Sequence, residues 1–132
     1  MIIFEIIFFL IILTITSISL AGYGKIITYR YKNSFLENIL FGYIFIAFLI
    51  TAIHFVTNIN IYINLTVIFI GLFFFIKNSN FIFKNFFFTY LLLIISLIPI
   101  FLTQKYHEDF GYYHLPYVLT MMDQKIIFGL AN

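Results

Sequence analysis

The residues best suited to chemistry stand together near the C-terminus, in Gln104-Lys-Tyr-His-Glu-Asp-Phe-Gly-Tyr-Tyr-His-Leu-Pro-Tyr117. Two of the three His and two of the five acids fall between His107 and His114, and four of the ten Tyr fall between Tyr106 and Tyr117. Glu108 and Asp109 are adjacent carboxylates. Neighbouring negative charges repel, which raises the pKa of one of them unless a cation sits between them. Such a pair can serve as a general base or hold a divalent ion. His107 and His114 flank it and can add a ligand or relay a proton. With no Cys in the chain, thiolate metal sites and disulfides are excluded. No recognised ligand spacing such as H-E-x-x-H is present, so the candidate metal set is simply His107, Glu108 and Asp109. No cofactor beyond that divalent ion is indicated.

The elements that must position these residues are membrane helices. The chain has 132 residues, 64% hydrophobic and 9% charged. Soluble domains carry about 25% charged residues, and disordered chains need the opposite composition. A net charge of +2 is too small for a nucleic-acid binder. Four apolar runs stand out: Ile2 to Leu20, Ile39 to Val56, Ile59 to Ile76 and Phe86 to Leu102. Each has 17 to 19 residues, just enough to cross a hydrocarbon core of about 30 Å as a helix. Lipid enforces helices, because open strands would leave backbone groups unpaired. The sequence thus predicts an all-α polytopic integral membrane protein. Residues 1–103 form a four-helix transmembrane region, and residues 104–132 form an extracytoplasmic loop with a short interfacial helix. The first run lacks a basic leading region and carries Glu5, so it reads as a retained helix and not a cleaved signal.

Lys25, Arg30 and Lys32 follow the first run, and Lys77 and Lys84 follow the third. Five of seven positive charges therefore fall on one side, which the positive-inside rule makes cytoplasmic. The N-terminus and the tail from Gln104 to Asn132 then lie outside an inner (cytoplasmic) membrane. Within the spans, Glu5 reads as an acid that snorkels to the interface. His54 reads as an interfacial histidine bonded to water or a backbone carbonyl. Pro99 ends or kinks the fourth helix. Thr14, Thr16, Ser17 and Ser19 should bond to their own helix or a neighbour. Gly22 and Gly24 read as a helix exit, and Gly42 and Gly71 as sites of close packing.

Two readings of the tail stand. In one it is a membrane-interface anchor. Gly111 permits a turn, Pro116 opens a helix, and Leu115, Val118, Leu119 and Met122 share one apolar face. Asp123, Gln124 and Lys125 close that helix. In the other, the acidic pair works chemically. The stretch His107-Glu-Asp-Phe-Gly-Tyr-Tyr-His-Leu-Pro116, with Ile126-Ile-Phe-Gly129 after it, resembles the first outer loop of bacterial polytopic enzymes of the GT-C glycosyltransferase superfamily. The resemblance implies transfer of a sugar from a polyprenyl-phosphate donor at the outer membrane face. It implies Asp109 as the base towards the acceptor, with Glu108 as partner or metal ligand, or the two reversed. Tyr112, Tyr113 and His114 would line the lipid-phosphate or sugar site. The partners implied are membrane lipid and the polyprenyl-phosphate sugar. On this reading the chain is the N-terminal part of a longer enzyme and inactive alone. The alternative is a small non-enzymatic membrane protein that serves as a structural or partner subunit.

Overall fold

The computed structural model describes residues 2–78, 88, 90–92, 95–96 and 110–126, with the side chains of Ile2, Ile3, Glu5, Asn78, Phe110 and Tyr113 outside that set. Among the described residues four α-helices can be given bounds: α1 (Ile2–Ile27), α2 (Phe35–Val56), α3 (Ile61–Asn78) and α4 (Leu115–Asp123). A π-helical turn, Phe110–His114, leads directly into α4. No strand occurs among the described residues. The all-helical expectation holds. Two of the four expected spans, Ile6–Ile27 and Phe35–Val56, are long and apolar enough to cross a membrane. The apolar part of α3, Ile61–Lys77, is shorter. The fourth run lies mostly outside the described residues, Pro99 included. Its described members, such as Tyr90, Leu91 and Leu92, are helical.

Local chemistry sets the helix boundaries. Ser34 caps α2: its hydroxyl accepts from the Glu37 amide at 3.3 Å, and the Glu37 carboxylate accepts from the Ser34 amide at 2.6 Å. This reciprocal pair satisfies two otherwise orphaned donors at the first turn. α2 stops at Thr57, whose extended backbone still donates to the Ile53 carbonyl at 2.9 Å. Asn60 then opens α3 by accepting from the Ile63 amide at 3.1 Å. The connections are short, so α1, α2 and α3 alternate in direction, and α1 packs against both of the others.

Small residues on α1 make this packing possible. A Cβ added at Gly24 would strike the Asn38 carbonyl, and one at Gly42 would strike the Leu20 carbonyl. A Cβ at Gly22 would strike the Gly71 carbonyl and lie 2.8 Å from the Phe75 amide. α1 therefore offers one glycine-lined face to α2 and another to α3, with backbones in direct contact. The expectation that Gly22 and Gly24 mark a helix exit is corrected: α1 continues through both to Ile27. Gly42 and Gly71 are close-packing sites, as the sequence suggests.

Interhelical hydrogen bonds follow the same seams. Ser19 donates to the Ile68 carbonyl at 3.1 Å and Tyr23 to the Val67 carbonyl at 2.7 Å. Thr28 lies 2.9 Å from both the Gly24 carbonyl and the Asn38 side-chain oxygen. Further along α1, Thr14 donates to the Leu10 carbonyl at 2.6 Å and pairs with the Tyr90 hydroxyl. Among the described residues the buried ones are thus mostly small or polar: Ser17, Ser19, Ala21, Tyr23, Thr28, Asn38 and His54, with Gly22, Gly24, Gly42 and Gly71. Large apolar side chains point outward, with Phe48 77% and Phe69 65% exposed. A soluble core has the reverse arrangement.

Candidate functional site

At the end of α2 nearest the loop to α3, one histidine ties the tail to the bundle. His54 is buried, and its Nε2 lies 2.9 Å from the Met121 carbonyl and 2.9 Å from the Gln124 carbonyl. Both partners can only accept, so Nε2 carries the proton and is shared between them. These carbonyls belong to the last turn of α4 and its cap, where helix geometry leaves acceptors unpaired. His54 therefore caps α4 from another helix. Its own carbonyl accepts from the Ile126 amide at 3.0 Å. Asn58, four residues on, donates its side-chain amide to the Asp123 carbonyl. Together these bonds clasp residues 121–126 onto the α2–α3 end of the bundle.

An apolar groove of about 800 Å³ reaches the same place. Phe45 and Ile53 of α2 face Ile63 and Phe74 of α3 across it, and Tyr23 of α1 contributes to its lining. Thr57 and Asn60 line its loop end. Asn58 stands between those two residues, so the tail docks at the groove's mouth.

The expected site residues divide in three. His107, Glu108 and Asp109 lie outside the described residues. Tyr113 is described in backbone only, in the π-helical turn. Tyr112 is 81% exposed, and His114 is exposed at the start of α4 and makes no capping bond. Among the described residues no three His, Asp or Glu side chains gather, and the expected metal ligands are not among those residues. The short helix expected in the tail is present. Pro116 stands in the first turn of α4, and Gln124 caps its end. Leu115, Val118, Leu119 and Met122 are all exposed, an apolar face without a protein partner among the described residues. Gly111 lies within the π-helical turn with open space around it, so no left-handed turn calls for it there.

Sequence reasoning placed His54 at a helix end and allowed it a carbonyl partner. It missed Asn58 and gave neither residue a connection to the tail. The acceptors are backbone carbonyls, which any residue supplies, so no sequence signal marked the pairing. No protein-family model, curated protein or solved structure matches the chain.

Proposed function

We propose that this chain is the N-terminal membrane part of a glycosyltransferase that takes a sugar from a polyprenyl-phosphate donor at the outer membrane face. The observation that carries the reading is the clasp at the groove mouth. His54 and Asn58 hold residues 121–126 beside Thr57 and Asn60, and the acidic pair immediately precedes the turn that leads into this docked helix. An apolar groove of that volume suits part of a lipid chain. Membrane insertion is supported by the outward apolar surface: only 28% and 11% of the two long spans are buried, where a soluble core helix is mostly buried.

In the proposed reaction the acceptor hydroxyl gives its proton to Asp109, with Glu108 raising that carboxylate's basicity by repulsion. The acceptor oxygen attacks the anomeric carbon while the bond to the phosphate oxygen breaks. Polyprenyl phosphate leaves with the electron pair, and the sugar's configuration inverts. Tyr112, Tyr113 and His114 contact the sugar or phosphate, and Lys105 is the nearest cation in sequence for the leaving phosphate. His107, Glu108 and Asp109 would hold a divalent ion, if one is used, against the phosphate charge. With the protein encoded by the complete locus, Asp109→Asn should lower sugar transfer by about 10² or more without lowering its amount in the membrane. Full transfer by that variant would remove Asp109 as the base.

A second reading, a non-enzymatic partner subunit, draws on α3. Phe69, Phe73 and Ile76 form an exposed stripe along it, 60–77% exposed, as a helix that packs against a neighbouring protein would display. Co-purification of a larger membrane protein, lost in Phe69→Ser/Phe73→Ser, would favour it.

A further inference from the structure

The end of the bundle opposite the clasp is strongly basic. Lys25 stands in the last turn of α1 and Lys77 in the last turn of α3. α1 and α3 run in the same direction, with Ser19 bonded to Ile68 and Gly22 packed on Gly71 and Phe75. At about 1.5 Å per residue, that register brings Lys25 and Lys77 to the same level within about one turn. Arg30 and Lys32 join them from the connection between α1 and α2. That connection is ordered by bonds from the Tyr31 amide to the Thr28 carbonyl at 2.8 Å and from Thr28 to Asn38. Arg30, Lys32 and Lys77 are exposed, and Tyr29 and Tyr31 beside them are 74% and 70% exposed.

One described carboxylate, Glu37, shares this end, and it accepts from the Ser34 amide in the capping box of α2. Four cations therefore face one committed acid. The helix dipoles account for Lys25 and Lys77 at helix C-termini but not for Arg30 and Lys32 in the connection. Exposed tyrosines next to exposed cations suit the headgroup depth of a bilayer, where ring and hydroxyl meet different solvents.

We propose that this end is a binding surface for anionic phospholipid headgroups, formed by Arg30, Lys32 and Lys77 with Lys25, and flanked by Tyr29 and Tyr31. The inference rests on the membrane-spanning reading above but not on the glycosyltransferase one. Headgroup phosphates approach from the bilayer plane, and the three exposed cations pair with them while the tyrosine hydroxyls hydrogen-bond at the same depth.

The absence of native Cys makes the test direct. A fluorophore is placed on Asn33→Cys, and the purified chain is reconstituted into phosphatidylcholine vesicles that contain brominated phosphatidylglycerol or brominated phosphatidylcholine. Quenching should give a relative affinity for phosphatidylglycerol of about fivefold or more, decreasing stepwise as the cations are removed. Arg30→Gln/Lys32→Gln/Lys77→Gln should therefore abolish the preference, and so should high salt. Equal quenching by the two lipids, or a preference that survives the triple substitution, overturns the proposal. Loss of the preference on adding inorganic phosphate at an ionic strength where chloride leaves it intact also overturns it, since a soluble anion is then the ligand. A second fluorophore on Phe48→Cys, in mid-α2, should be quenched by both lipids. If it is quenched by neither, the membrane-spanning reading fails, and the lipid surface with it.

Discussion

His54 shows how much one side chain does here. It is a polar group inside an apolar helix, and its burial is tolerated because Nε2 has two acceptors at 2.9 Å. Removing it leaves two carbonyls at the α4 end without a donor, which costs about 1–2 kcal/mol. His54→Ala should therefore loosen the tail. The Ile126 amide, bonded to the His54 carbonyl at 3.0 Å, should exchange with deuterated solvent about 5–30 times faster. His54→Gln keeps a donor of similar reach and should stay near the native rate. Unchanged exchange in His54→Ala would mean the clasp does not hold the tail. The position of His54 was legible in the sequence as a helix-end histidine. Its partner was not, because Met121 and Gln124 contribute backbone atoms and lie 67 and 70 residues away. Asp109 and Glu108 are legible only as an acidic pair, since neighbouring carboxylates recur in many settings and their roles depend on what faces them.

At the scale of helices, the molecule is organised by small residues on α1. Gly22 and Gly24 bring α3 and α2 into backbone contact, and Ser19 and Tyr23 add bonds across the seam with α3. Bonds of this kind contribute about 0.6 kcal/mol each inside membranes, so contact across the glycines carries more than the hydroxyls do. Gly22→Val should push α3 away, break both bonds and cost about 3 kcal/mol. Thermal unfolding in detergent would measure it, with Leu40→Ala, at an exposed site, as the neutral control. A Gly22→Val protein as stable as the native one would contradict the packing account. The apolar runs made the helices readable, and their isolated glycines made Gly42 and Gly71 readable as packing sites. Gly22 and Gly24 misled because a glycine pair followed by Lys25 looks like the end of a helix in water. Inside a bundle the same pair lets two neighbours approach while the helix continues.

The molecule as a whole has two unlike ends joined by outward-facing apolar helices. One end carries Lys25, Arg30, Lys32 and Lys77. The other carries the His54 and Asn58 clasp, the mouth of the groove and the docked α4. Composition and charge spacing alone separated these ends, because lysines and arginines concentrate in alternate connections. How the tail seats itself was beyond the sequence, since α4 is held by backbone acceptors and leaves its apolar face outward. The central claim is that the tail bearing Glu108 and Asp109 works at the outer membrane face, on the side opposite the basic end. A single cysteine at Tyr106, in this otherwise cysteine-free chain, tests it directly with a membrane-impermeant maleimide on intact cells. The account predicts labelling without permeabilisation. Labelling only after the cells are opened would place the tail in the cytoplasm and contradict both the orientation and the proposed reaction.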